Sequence, residues 1–409
     1  MVANVTGKPV QHENFYDRER EIQKLWHHLA NDDVLLLAPR RVGKTSVMYR
    51  LREQAASKKV VASYLSVADA DSELEFVRHL YEAVVAIEPV RVRVEKVTEG
   101  PVGQLFGRIK KVGVLGVSVE LGDAAATHWR KAGEALIAAL GETEQKALLL
   151  IDELPVFVLS LARQDPSGAR AADFLTWLRK LREAPDTTER VRWLLAGSIG
   201  LDTVARRLRL SKTLGDLYVY GDLGPFTRDT ALSFLDELAQ THLLPLSDEV
   251  RERICERIEW LLPYHVQLVF SELRDHCGDH RCAATAEVVD LVYDAILSKR
   301  PHFDHWEERL HEELGTPDSR HAIEILNACA RDRAGASYTT LQAVLGKHVQ
   351  DADQRDERLT YLLDVLRGDG YLTPADDRLR FCSPLLRDYW ARRVAPRSTL
   401  VPPPSGPSR

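Results

Sequence analysis

Four apolar residues, Val34-Leu35-Leu36-Leu37, run directly into Ala38-Pro39-Arg40-Arg41-Val42-Gly43-Lys44-Thr45. Nothing else in the chain restricts its fold so tightly. A short apolar run without polar alternation suits a strand buried on both faces, and such strands belong to parallel sheets covered by helices. The segment that follows meets the pattern G-x-x-x-x-G-K-[ST] with one departure. In that pattern the backbone N–H groups of the loop converge on phosphate oxygens. Gly43 permits the close approach, Lys44 is a fixed cation for β- and γ-phosphates, and the Thr45 hydroxyl reaches a magnesium ion. From Lys44 to Ala56 the pattern turns helical, so the positive end of a helix adds to the anion site. Ala38 stands where the first glycine is expected. Alanine fits there if φ is negative and costs about 1 kcal/mol if φ must be positive.

A second apolar strand, Lys146 to Ile151, ends in Asp152-Glu153. In an open α/β sheet, ligands bind beyond the carboxyl ends of the strands. Asp152 is therefore placed to hold magnesium through water, and Glu153 to orient and polarise an attacking water. Two acids at a strand end say little by themselves, because many strands run into solvated loops; the phosphate loop gives them meaning. Lys59 to Val67 and Val191 to Ala196 read as further strands. Glu73 to Ile87, Thr127 to Leu140 and Ala171 to Arg182 read as helices. Such alternation predicts an α/β domain, a parallel sheet with helices on both faces. Val102 to Gly122 is the least legible stretch, read as an inserted hairpin on the strength of Val112, Val114, Val117 and Val119. Ser198 follows the last strand, and two readings stay open: a polar group reaching the γ-phosphate or the lytic water, or a helix N-cap. Arg179, Arg182, Arg206, Arg207 and Arg209 lie close enough in sequence to be considered as charge-neutralising fingers; a solvated surface role is the simpler reading of each.

Beyond Pro225 the strands give way to amphipathic helices over Thr230 to Gln240, Asp248 to Trp260, Tyr264 to Cys277 and Glu287 to Ser298. From His321, three short helices and a two-stranded hairpin around Asp376-Asp377 follow the order of a winged helix. These shifts predict an arm over 1–14, a nucleotide domain over 15–224 with an insertion around 100–122, a helical lid over 225–318, a winged-helix domain over 319–395 and a disordered Pro- and Ser-rich tail over 396–409. The net charge of −6 gives no global attraction to nucleic acid, so DNA binding would need a local basic patch. Acids and bases nearly balance through residues 319–395, with Arg387, Arg392 and Arg393 forming a modest basic end. No apolar run reaches a membrane-spanning length, and the first residues lack an apolar signal core. Five cysteines, all in the second half, argue against a disulfide framework and for a reducing compartment, so the chain reads as cytoplasmic. His276, Cys277, His280 and Cys282 crowd into one helix end, without the two spaced pairs of a zinc site, and read as incidental. The tryptophans at 129, 177, 193, 260 and 390 fall on apolar faces and read as core.

With these pieces in place, the chain resembles the archaeal-type ATPases of the STAND/AAA+ group of P-loop NTPases, from about Phe15 to about Trp390. Phe15-Tyr16-Asp17-Arg18-Glu19-Arg20-Glu21 looks like that family's opening box, with Asp17 in place of a glycine. Arg40-Arg41-Val42-Gly43-Lys44-Thr45-Ser46 is similar to its phosphate loop, Ile151-Asp152-Glu153-Leu154-Pro155 to its metal strand, and Ala196-Gly197-Ser198 to its sensor strand. Leu223-Gly224-Pro225-Phe226 looks like the lid junction, and Leu262-Pro263-Tyr264-His265 like the start of a lid helix facing the nucleotide. The resemblance implies ATP and Mg2+ as cofactors. It implies Pro39 to Ser46 on the phosphates, and Phe15, Tyr16, Arg18 and Pro225 near the adenine. It implies Thr45 and Asp152 at the metal, with Lys44, Glu153 and Ser198 in catalysis.

The expectation is an ATP-hydrolysing conformational switch that acts on a protein partner. A second reading is a DNA-binding initiator or regulator whose conformation ATP sets, with residues 319–395 on the duplex. A third is a scaffold that binds nucleotide without turnover.

Overall fold

The computed structural model of the chain describes residues 2–96, 102–107, 109, 128–165, 167–197 and 214–394. These form two compact units, Met1–His242 with Leu262–Gln267, and Leu243–Leu261 with Leu268 onward.

The first unit is built on a sheet of β1 (Val34–Leu37), β2 (Val60–Ser66), β3 (Lys146–Asp152), β4 (Val191–Gly197) and β5 (Tyr218–Tyr220). Their order is β2-β3-β4-β1-β5, and every neighbouring pair is parallel. That is the parallel sheet expected, with a fifth strand at its edge. Successive residues of a strand face opposite sides. Leu35, Leu149, Ile151, Trp193 and Leu195 accordingly join one buried cluster with Phe76, Phe157, Phe174 and Trp177. Those side chains come from α3 (Glu73–Val85), α6 (Leu154–Gln164) and α7 (Ala169–Arg182); α4 (Glu88–Glu95) and α5 (Trp129–Gly141) also lie on this side. The alternate residues Val34, Leu36, Leu148, Leu150 and Leu194 are equally buried. Helices α1 (Glu19–Leu29) and α2 (Lys44–Ala55) pack on the sheet as well.

Asp33, just ahead of β1, ties three strands together. Its Oδ1 accepts from Trp193 N at 2.9 Å, its carbonyl from Tyr218 N at 2.9 Å, and its Oδ2 from Arg182 at 3.4 Å. Arg182 is buried and also donates to Asp216 at 2.6 Å. α8 (Arg228–Thr241) and the first turn of α10 (Pro263–His280) complete the unit.

The second unit holds α9 (Asp248–Ile258), the rest of α10, α11 (Ala286–Ile296), α12 (Asp304–Leu314), α13 (Asp318–Ala330), β6 (Ala336–Ser337), α14 (Tyr338–Leu345), α15 (Ala352–Gly368), β7 (Leu372–Ala375), β8 (Arg378–Phe381) and α16 (Pro384–Val394). The three strands form an antiparallel sheet in the order β6-β8-β7. Trp306, Tyr371 and Trp390 are among the largest buried rings of the unit. Two of their polar handles are bonded inside the unit, Tyr371 OH to Trp306 O at 2.6 Å and Trp390 Nε1 to Asn327 Oδ1 at 2.8 Å.

Residues 102–107 are helical. The valines at 112, 114, 117 and 119 and the tail over 396–409 lie outside the described residues. Among the described residues no helix is long and apolar enough to cross a membrane.

One close packing sets where α6 begins. A Cβ built on Gly197, at the end of β4, would lie 2.3 Å from both Cδ and Cγ of Pro155 in the first turn of α6. Ring carbons of a proline cannot rotate away. Gly197→Ala should therefore lower stability by about 1–3 kcal/mol, read as a lower midpoint in urea at unchanged slope. An unchanged midpoint would show that the two elements do not meet so closely.

Candidate functional site

The parallel register decides which side chains meet. β4 lies between β1 and β3, with Leu37 level with Gly197 and Ile151 level with Leu195. The ends of β1 and β3 thus emerge at one edge of the sheet, with Asp152 one step short of the level of Leu37. There Thr45 Oγ1 donates to Asp152 Oδ2 at 2.7 Å, joining residues 107 apart in sequence. Tyr64 OH on β2 donates to the same oxygen at 3.2 Å, and Glu153 N donates to Asp152 Oδ1 at 3.0 Å. Asp152 is buried, with donors on both of its carboxylate oxygens. Burial first, then the charge of Asp152, pushes the Tyr64 phenol above its ordinary value, so it remains a donor.

Loop conformation answers the question of Ala38. That residue is buried and takes no positive φ; the left-handed positions are Gly43 at 97° and Arg41 at 64°. An arginine in this region costs on the order of 1–2 kcal/mol relative to a negative φ. Its guanidinium lies 4.4 Å from the centroid of the Tyr264 ring, in the first turn of α10, a cation–π contact worth about 0.5–2 kcal/mol. Lys44 Nζ reaches back to the carbonyls of Ala38 at 2.8 Å and Pro39 at 3.2 Å. Glu153 is the N-cap of α6 and also left-handed, at φ 59°.

A cavity of about 290 Å³ opens over the loop. Arg40 to Ser46, Glu153, Phe15, Tyr16, Arg18, Phe226 and Tyr264 line it. Tyr16 packs on Phe234 at 4.8 Å and meets Phe226 edge-on at 6.2 Å. Burial, and then Glu237, raise its phenol. The polar atoms of Arg18 are committed elsewhere, to Gly224 O at 2.6 Å and Glu21 Oε1 at 3.2 Å, while its guanidinium covers the Phe226 ring at 4.9 Å. Arg18 thus clamps the segment before α8. Pro225 is not part of the cavity wall; its neighbour Phe226 is.

The N-terminal arm supplies a wall that sequence reasoning missed. Val5, Gly7, Lys8, Pro9 and Val10 line the cavity. Backbone donors pin them: Val10 N to Ser46 Oγ at 3.0 Å, Val5 N to Gln267 Oε1 at 2.7 Å, and Asn4 N to His242 Nε2 at 3.1 Å. Val2 is buried at the start of the arm. The spaced valines 2, 5 and 10 around Gly7 and Pro9 are the one signal that could have shown a seated strap rather than a free arm.

Ser198, Arg206, Arg207 and Arg209 lie outside the described residues. Arg179 pairs with Glu183 at 2.8 Å, and Arg182 belongs to the Asp33 cluster, so neither reaches the cavity as a finger. His276 stacks on His280 at 4.2 Å. Among the described residues no three His, Cys, Asp or Glu side chains are grouped to hold a metal. The hydroxyl of Thr45 and the carboxylate of Asp152 nevertheless suit magnesium, which takes one or two protein oxygens and fills its octahedron with phosphate oxygens and water.

No protein-family model and no curated protein matches the sequence. Solved structures do. The Walker-type ATPase PABY2304 of Pyrococcus abyssi superposes with a TM-score of 0.59 at 18% identity, over 94% of this chain and 98% of that one. The ORC2 protein of Aeropyrum pernix, in ADPNP–ADP complexes, gives 0.54 at 14% identity, over 94% and 95%. At such identities the likeness concerns the fold alone. With the strand order β2-β3-β4-β1-β5 and the loop between β1 and α2, the fold is that of a P-loop NTPase.

Proposed function

We propose that the chain binds Mg-ATP in the cavity over residues 40–46 and hydrolyses it slowly, as a conformational switch. The observation that carries this reading is the 2.7 Å contact of Thr45 with Asp152, which joins the phosphate loop and the acidic strand at one point. Lys44 exchanges the carbonyls of Ala38 and Pro39 for β- and γ-phosphate oxygens, which are stronger acceptors for an ammonium. A hydroxyl carries one proton and two lone pairs. Thr45 can therefore keep its proton on Asp152 while its oxygen faces a metal. Magnesium, when bound, would offset the charge that develops between the β- and γ-phosphates. Glu153, held at the cavity wall by its left-handed backbone, orients and polarises the attacking water. Phe15, Tyr16 and Phe226 offer apolar faces to the base.

The switch reading rests on what else touches the loop. Arg41 stacks on Tyr264, Ser46 holds Val10, and both partners belong to the cavity wall. A triphosphate that draws Arg41 toward itself changes the contact with α10, and one that engages Ser46 changes that of the strap. Such differential contact is what lets a ligand bias two arrangements. With no arginine finger placed among the described residues, turnover is expected to be slow.

A second reading treats β6, β7, β8 and α13 to α15 as a winged helix that contacts DNA. The order helix, strand, helix, helix, hairpin favours the domain type. Charge pairing favours a protein contact over a duplex. Arg392 pairs with Asp294 at 2.6 Å, Arg378 with Asp332 at 3.3 Å, Arg393 with Glu307 and Arg387 with Asp388, so the basic end is largely offset.

Lys44→Ala should abolish ATP binding in a calorimetric titration. Glu153→Gln should bind ATP like the wild type while single-turnover hydrolysis falls by at least about a hundredfold, as loss of a positioned base does. Equal hydrolysis in wild type and Glu153→Gln would end the role given to that residue. On the second reading, wild type would retard a duplex at low salt and Arg392→Ala with Arg393→Ala would not; no retardation of any duplex would remove DNA from consideration.

A further inference from the structure

We propose that Tyr64 is a positioning residue of the metal site, holding the Asp152 carboxylate so that Thr45 presents its lone pairs to a divalent cation. The inference rests on the Mg-ATP reading above and adds to it a residue that no motif marks. Tyr64 lies in the middle of β2, away from the phosphate loop and from the acidic pair in sequence.

The register brings it there. β2 pairs with β3 so that Ser66 is level with Asp152 and Tyr64 with Leu150. Residues 64 and 66, like 150 and 152, share one face of the sheet. From that face the Tyr64 hydroxyl reaches Asp152 Oδ2 at 3.2 Å, the oxygen that also accepts from Thr45 at 2.7 Å. Glu153 N takes the other oxygen at 3.0 Å. Three donors thus fix the buried carboxylate in its plane, and Tyr64 is the only one of the three that neither belongs to the loop helix nor follows Asp152 directly.

Tyr64 is itself held by the helix that carries Thr45. Its ring meets Tyr49 of α2 edge-on at 4.8 Å and 69°, and the Arg52 guanidinium lies over both rings, at 5.0 Å from Tyr49 and 5.9 Å from Tyr64. Lys44, Thr45, Tyr49 and Arg52 all belong to α2. The helix therefore supplies a metal-facing hydroxyl at its first turn and, further along, clamps the tyrosine that aims the opposing acid. Groups that orient a metal's ligands are commonly worth about 10–100-fold in metal affinity.

Without the phenol, Asp152 keeps two donors and gains freedom to rotate. The Thr45 proton then loses its fixed acceptor, and the hydroxyl no longer faces the cation in one orientation. ATP held by the loop amides and Lys44 alone should not notice the change. A tyrosine that merely fills space on β2 would affect both conditions alike.

The test is a titration of the full chain with ATP, in EDTA and in excess Mg2+, for wild type and Tyr64→Phe, with thermal melting as a control for folding. The expected result is an unchanged affinity in EDTA and an approximately tenfold smaller gain from Mg2+ in the variant. A Mg2+ gain equal to that of wild type would overturn the assignment, and so would equal losses in both conditions. If wild type bound no ATP in either condition, the Mg-ATP reading would fail, and the role of Tyr64 with it. A wild type that gains from Mg2+ beside a variant that gains equally would sink the role of Tyr64 alone.

Discussion

One hydrogen bond organises the first unit, from the Thr45 hydroxyl to the buried carboxylate of Asp152. It requires that two strands separated by a third end at the same edge and almost the same height. Parallel pairing of β1 and β3 with β4 between them meets that requirement. An antiparallel β3 would send Asp152 to the far edge of the sheet. The buried leucines of β1 and β3 fix the height at which this hydroxyl and acid emerge. Tyr64 extends the same logic to β2, so that three strands and one helix converge on a single carboxylate.

Part of the chain's left-handed backbone lines the same cavity. Arg41 and Glu153, like Arg18, take left-handed φ values in residues other than glycine and line the cavity. Each conformation costs about 1–2 kcal/mol and persists only where its surroundings over-determine it. Around Arg41 those surroundings are the Gly43 turn and the Tyr264 ring; around Glu153 they are the Pro155 turn packed against Gly197. The strained Arg41 of the phosphate loop is the same residue that stacks on Tyr264.

How much of this could be read from the sequence varied with the reach of the interactions. β1 and β3 were legible because strands buried on both faces are apolar throughout, and the loop and acids followed from them. α4 was not legible: Val90, Val92 and Val94 alternate with arginine and glutamate as a strand would, yet only Val90 and Val94 are buried, four apart on one helical face, while Val92 is exposed. α6 escaped because Leu154 to Leu161 is apolar on nearly every side, which erases helical periodicity. β5 is a three-residue edge strand whose Tyr218 and Val219 are exposed. The strap is the clearest case. Val5 finds its partner 262 residues away, through a backbone donor that no residue pattern encodes. Arg18 shows the same limit: its place beside Phe226 follows from the fold, and so does its attachment to Gly224 O.

A double-mutant cycle on ATP affinity in Mg2+ tests the convergence of loop and acid most directly. Thr45→Val and Asp152→Asn, alone and together, report whether the two side chains serve one metal. If they do, the double variant loses little more than the more damaging single variant. Losses that simply add, as for residues acting at separate places, would contradict the central claim.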